Sequence, residues 1–163
     1  MTAYLYRMPS GIPGDVSRPS QSTIEPGVFN SAAAFAGYGL FGKIVSGKFV
    51  PIGASDVAAA VYGLLVRPYP TTGGAGNDPV GTSTPPTSGM ADIMRRGYMT
   101  VKNNAGTPVK GGQVYVRVAA AAAGKPIGGI EAAADSTNTI AITGATFMDA
   151  GDAAGNVEIA FNI

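Results

Sequence analysis

Ten carboxylates are the main reactive groups of this chain: Asp15, Glu25, Asp56, Asp78, Asp92, Glu131, Asp135, Asp149, Asp152 and Glu158. Histidine and cysteine are both absent. Their loss removes the usual general base, the usual nucleophile and the softer metal ligands together, which excludes Ser/His/Asp and Cys/His catalysis. What remains is carboxylate chemistry or a Ser/Lys pair. A glycosidase would need two acids facing each other across a sugar, and no spacing in the chain marks such a pair. Asp149–Asn156 has the oxygens to ligate a hard cation, but it lacks the alternating ligands and terminal bidentate Glu of a calcium loop. It reads more simply as a hairpin loop that uses Asp, Gly and Asn for positive φ. Gly73–Gly76 and Gly124-Lys125-Pro126 are not phosphate loops, because the Gly-x-x-x-x-Gly-Lys-Ser/Thr pattern opening a helix is missing. The expectation is a protein that is not an enzyme, with no catalytic residues, no metal and no cofactor.

Composition points toward surfaces instead. The 163 residues carry a formal net charge of +1, and only 13% of them are charged, against a typical share of about 25%. So few charges keep a protein soluble poorly; burial of its surface against copies or partners follows as an expectation. The 11 basic residues are scattered, with Arg95-Arg96 the one adjacent pair, so no basic face suits a nucleic acid. No apolar run is long enough for a membrane span, and Met1–Tyr6 lacks the regions of a signal peptide.

The elements that would present such surfaces divide the chain into residues 1–30, an extended N-terminal arm, and residues 31–163, a single β-rich domain with a long loop at 70–88. Tyr6–Pro19 holds three prolines and two glycines, which argues against helix or central strand. Yet Tyr6, Met8, Ile12 and Val16 recur along it as apolar groups, so it reads as an arm lying on a surface, its own or a partner's. Arg7 and Arg18 suit pairing with carboxylates. Gly39–Val45 and Lys48–Ile52 flank the turn signal Ser46-Gly47, and Val57–Val66 reads as a further strand. Residues 70–88 are too poor in apolar side chains to bury themselves.

The C-terminal half alternates. Met99 and Val101 face opposite to Tyr98, Thr100 and Lys102; Val114, Val116 and Val118 opposite to Gln113, Tyr115 and Arg117; Val157, Ile159, Phe161 and Ile163 opposite to Asn156, Glu158, Ala160 and Asn162. A period of two marks half-buried antiparallel strands. With the Gly- and Pro-rich turns between them, it predicts an all-β fold, an antiparallel β-sandwich, jelly roll or barrel-like domain. Ala119–Ala123 reads as strand continuation or one helical turn, or as a small-residue surface for close subunit approach.

The arm Tyr6–Arg18 resembles the opening of the structural cement, or capsid decoration, proteins of tailed bacteriophages. So does Ala105–Arg117, a turn feeding a strand. The resemblance implies a non-enzymatic β-rich protein on the outer surface of a virion, bridging subunits of the major capsid protein, and no catalytic residues to carry over. The arm residues Arg7, Met8, Pro9, Ile12, Pro13, Asp15, Val16 and Arg18 are the expected contacts with the capsid or a sister subunit. The other partner expected is the chain itself, as a homotrimer or homodimer. The alternatives are another virion component, a tail or fibre protein, and a carbohydrate-binding β-sandwich, which would need a platform of exposed aromatics.

Overall fold

The computed structural model describes residues 11–68 and 84–163. Nine strands are present among them: β1 Thr23–Val28, β2 Phe41–Val45, β3 Lys48–Pro51, β4 Gly63–Leu65, β5 Met90–Lys102, β6 Gln113–Arg117, β7 Ile130–Glu131, β8 Thr139–Phe147 and β9 Asn156–Phe161. The described residues contain no α-helix, only three short 3-10 turns. The strands form one sheet in the order β3-β2-β4-β5-β9-β8-β6-β7, with β1 also on β5. Every pairing between these strands is antiparallel. The all-β, antiparallel expectation is borne out, as a half-barrel.

β5 joins the two ends of this sheet. Its first half pairs with β1 and β4, its second half with β9. Gly97 sits at the changeover with φ +139°, and a Cβ there would lie 2.1 Å from Ser22 Oγ. Only glycine permits that approach.

The main core fills the inside of the half-barrel. Met99, Val101, Val114, Val116, Val157, Ile159 and Phe161 all enter it, together with Phe41, Leu64 and Met94. Cross-strand pairs Met99↔Ile159 and Val101↔Val157 lock β5 to β9. A second core of Phe29, Phe35, Tyr38, Phe49, Leu65, Ala91 and Ile93 is separate from it. There Phe35 stacks on Phe49 at 4.9 Å between ring centres. The pairs Leu64↔Met94 and Leu65↔Ile93 are adjacent in register, and they enter different cores. β4 is therefore buried on both faces, which explains its unbroken apolar run.

The Ser46-Gly47 turn forms as expected, with φ of 50° and 75°, the left-handed pair that suits a tight hairpin. The Asp149–Asn156 segment is the β8–β9 connection, where Asp152 Oδ1 accepts the Asn156 N–H at 2.8 Å and Gly155 has φ 78°.

Four readings need correction. The strand expected over Val57–Val66 covers only Gly63–Leu65, and Ala58–Ala60 makes a 3-10 turn. Three alanines have little side chain to bury on a sheet, and Asp56 holds the preceding loop through Gly53 N–H and Lys43. Ile163 is 57% exposed rather than core, because β9 ends at Phe161 and Asn162 turns away with φ 55°. Thr100 and Arg117 do not face solvent; both are buried, Thr100 against the N-terminal segment at Gly11 and Arg117 among Glu131, Asp135 and the chain just after β6. Ala119–Ala123 continues neither as strand nor as helix: Ala122 and Lys125 close a tight turn through two backbone bonds.

Candidate functional site

Residues 12–18 form a strap along the edge of the second half of β5. Gly14 N–H donates to the Thr100 carbonyl at 2.8 Å, Thr100 N–H to Asp15 at 2.9 Å, and Ser17 N–H to Tyr98 at 3.1 Å. Val16 bridges to Met99 and packs on the main core. Gly11, just before the strap, lies against the Thr100 side chain, so close that a Cβ there would meet Thr100 Oγ1 at 3.0 Å. Arg67 closes the other side: its N–H donates to Gly14 and its Nε to the Pro13 carbonyl. The glycine at 14 is required, since a Cβ would lie 2.5 Å from Tyr38 Cβ and 2.9 Å from Arg67 Cβ.

The strap ends in an ion pair. Arg18 reaches both oxygens of Glu158 on β9, at 3.2 and 2.7 Å, and Ser17 Oγ donates to the same carboxylate at 2.5 Å. The guanidinium also lies 4.0 Å from the Tyr98 ring centre. The hydrogen bond to Glu158 raises the Arg18 pKa above its ordinary value. Of the arm residues singled out in the sequence, Ile12, Pro13, Asp15 and Val16 are half-buried and Arg18 is exposed. Arg7, Met8 and Pro9 lie outside the described residues.

The densest charged group lies elsewhere. Arg117, 1% exposed, donates to Glu131 through Nε at 2.5 Å and through a terminal nitrogen at 3.0 Å. It also donates to Asp135 at 2.7 Å and to the carbonyls of Ala119 and Ala120. This one side chain ties β6 to β7 and to the loops on either side. Ala120, whose carbonyl accepts from Arg117, has φ 49°, and Ser136 beside Asp135 has φ 47°. Hydrogen bonds to Glu131 and then Asp135 push the Arg117 pKa up, and the bond from Arg117 holds the Asp135 carboxyl below its ordinary value. Alternation misassigned Arg117 because it tells only which face of a strand a residue is on, not whether loops cover that face. The available signal was a Glu immediately after Ile130 in a chain with so few charges.

Three tyrosines are each capped by an arginine: Tyr98 by Arg18, Tyr38 by Arg67 and Tyr62 by Arg95, at 4.0, 4.7 and 3.5 Å. Tyr62 also donates to Glu25, which lies beside Arg95. These rings each have one face occupied, so they are not an open sugar platform. Among the described residues no three carboxylates gather as a metal site would require. The exposed surface also carries large apolar side chains, including Ile24 and Val28 on β1 and Met90 opposite Val28.

A family model described as XM1 gp53 minor capsid protein matches residues 1–161. A chain in the solved structure titled "The capsid of Myoviridae Phage XM1" is similar in fold, with a TM-score of 0.71 and 20% identity over 98% of this chain and 95% of that one. No curated protein matches the sequence.

Proposed function

The chain belongs to the XM1 gp53 minor capsid protein family, a family of virion structural proteins, and from that premise we propose that it acts as a cement protein on the outer capsid surface. It bridges neighbouring major capsid protein subunits and stabilises the shell without catalysing a reaction. The observation that carries this reading is the family match along almost the whole chain, arm included. The structure supports it in two ways. The strap is bonded to β5 and, through Arg18, to β9, so tension on the residues before it passes into the sheet. The ten residues before Gly11 can reach at most about 36 Å when extended, far enough to touch a neighbouring subunit. Arg7, Met8 and Pro9 make that contact; Ile12, Pro13, Asp15, Val16 and Arg18 are its footing and outer face. Proline restricts the free arm and so lowers the entropy lost on docking, and repetition over a symmetric lattice adds avidity.

Co-sedimentation with purified shells tests this. The intact protein binds and raises the temperature at which shells fall apart, and a variant lacking residues 2–10 folds with unchanged stability but binds much more weakly. Equal binding by the shortened protein would remove the arm from the contact, and absence of shell binding by the intact protein would refute the cement role. Self-association as a homotrimer or homodimer belongs to the same proposal, through low-charge surface such as that around Ile24, Val28 and Met90; sedimentation velocity over a concentration series measures it.

A further inference from the structure

The cement reading leaves open what kind of surface the body of the protein grips. A cleft of about 460 Å³ lies beside the strap, lined by Ser20, Gln21, Ser22, Thr23, Arg96, Tyr98 and Ile163. It is shaped by backbone. Thr23 pairs with Arg96 at the irregularity where register shifts between Thr23 and Ile24. Gly97 lets Ser22 sit against β5, where its hydroxyl donates to the Arg18 carbonyl. The remaining polar groups are unspent. Among the described residues the side chains of Ser20, Gln21, Thr23 and Arg96 form no hydrogen bond or ion pair. The nearby carboxylate of Glu158 is engaged by Arg18 and Ser17. One exposed guanidinium thus stands with two hydroxyls and an amide in a concave site that has no acidic side chain in its wall. Tyr98 and Ile163 supply apolar surface for the stem of a bound side chain.

We propose that this cleft binds an acidic polypeptide segment of a neighbouring shell subunit, with a Glu or Asp carboxylate on Arg96. Guanidinium and carboxylate match in charge and in their two-pronged geometry, and the hydroxyls of Ser20 and Thr23 satisfy the remaining lone pairs. The inference rests on the cement reading for the source of the segment, but not for the chemistry of the cleft.

Two measurements on the full chain separate these. First, an acetylated, amidated hexaglutamate peptide is titrated into labelled protein and amide shifts are followed by NMR. Shifts concentrated at residues 20–23 and 96–98, and lost in Arg96→Gln, are expected. Shifts spread evenly over all basic residues, or unchanged in Arg96→Gln, would overturn the site. Second, shell binding is compared for Arg96→Glu and Lys48→Glu, which change charge equally; Lys48 is exposed on the distant β2–β3 hairpin. Arg96→Glu weakens binding about tenfold, the scale of one lost charge-assisted hydrogen bond, while Lys48→Glu stays near the parent value. Equal effects would mean diffuse charge and refute the cleft as the contact. Should the parent protein not bind shells at all, the cement role falls, and the peptide titration alone still decides the cleft.

Discussion

Arg18 and Arg117 do similar work in opposite surroundings. Each holds both oxygens of a strand carboxylate, Arg18 tying the strap to β9 and Arg117 tying β6 to β7. The Arg18 side chain is 42% exposed and that of Arg117 is 1% exposed. Water competes for every bond Arg18 makes, so its pair adds little net stability. Arg117 has no such alternative. Once its donors are out of water, each needs a partner, and a missing partner leaves a buried charge uncompensated. The same pairing is thus optional trim on the strap and a structural requirement at the β6–β7 end.

The strongest way to break this comparison is Arg117→Ala. It strands Glu131 without its partner and frees both loops, and its urea midpoint falls further than those of Phe161→Ala, Asp135→Asn and Arg18→Ala. Replacing Arg117 by Met together with Glu131 by Leu recovers much of the loss, because a matched apolar pair removes the uncompensated charge. A mild Arg117→Ala phenotype would show that the loops open to let water in.

Phe161→Ala sets the scale between the extremes. Phe161 is 3% exposed and meets Phe41 edge-on at 5.4 Å, and truncating such a ring costs about 3–5 kcal/mol. An unchanged denaturation midpoint would mean the β9 faces are reversed. Removal of residues 2–19 is expected to cost a substantial part of the stability, in contrast to removal of 2–10, because it uncovers Thr100 and takes away the Arg67 partners at Pro13 and Gly14. Equal midpoints for the two truncations would show that the strap rides on β5 without supporting it.

Asp135 sharpens the comparison through pH. Its carboxyl is held below the ordinary value of 3.8 by the hydrogen bond from Arg117. A depressed folded pKa means that its contribution is fully present above the unfolded value and is lost as pH falls through the lower folded one. Asp135→Asn should therefore lower the urea midpoint at neutral pH and differ less from the parent as acid is added; a gap independent of pH would disconnect Asp135 from Arg117. The smallest effect is expected of Arg18→Ala, about 1 kcal/mol or less from the exposed pair and the stack on Tyr98 together. High salt should shrink it further, and a loss comparable to that of Phe161→Ala would place Arg18 in the structural class of Arg117.

How much of this was legible in the residues differs along the chain. Met99, Val101, Val114, Val116, Val157, Ile159 and Phe161 could be placed from alternation alone, because a strand puts successive side chains on opposite faces whatever its neighbours are. The Ser46-Gly47 hairpin was equally legible, since its left-handed dihedrals are a local property. The absence of histidine and cysteine excluded whole classes of chemistry without any fold. Only the tertiary structure could decide the rest. Thr100 and Arg117 lie on the faces that alternation assigned to solvent, and they are buried all the same: Thr100 by the distant N-terminal segment at Gly11, Arg117 by its bonds to Glu131, Asp135 and the carbonyls just after it. Arg18 looked available to a partner and is already paired with Glu158, 140 residues away. The cleft at Arg96 exists because the register shift at Thr23 and the missing side chain of Gly97 bring two separate segments together. Facing is set by local geometry and can be read locally; burial and pairing depend on which remote segments arrive, and no short stretch of residues contains that information.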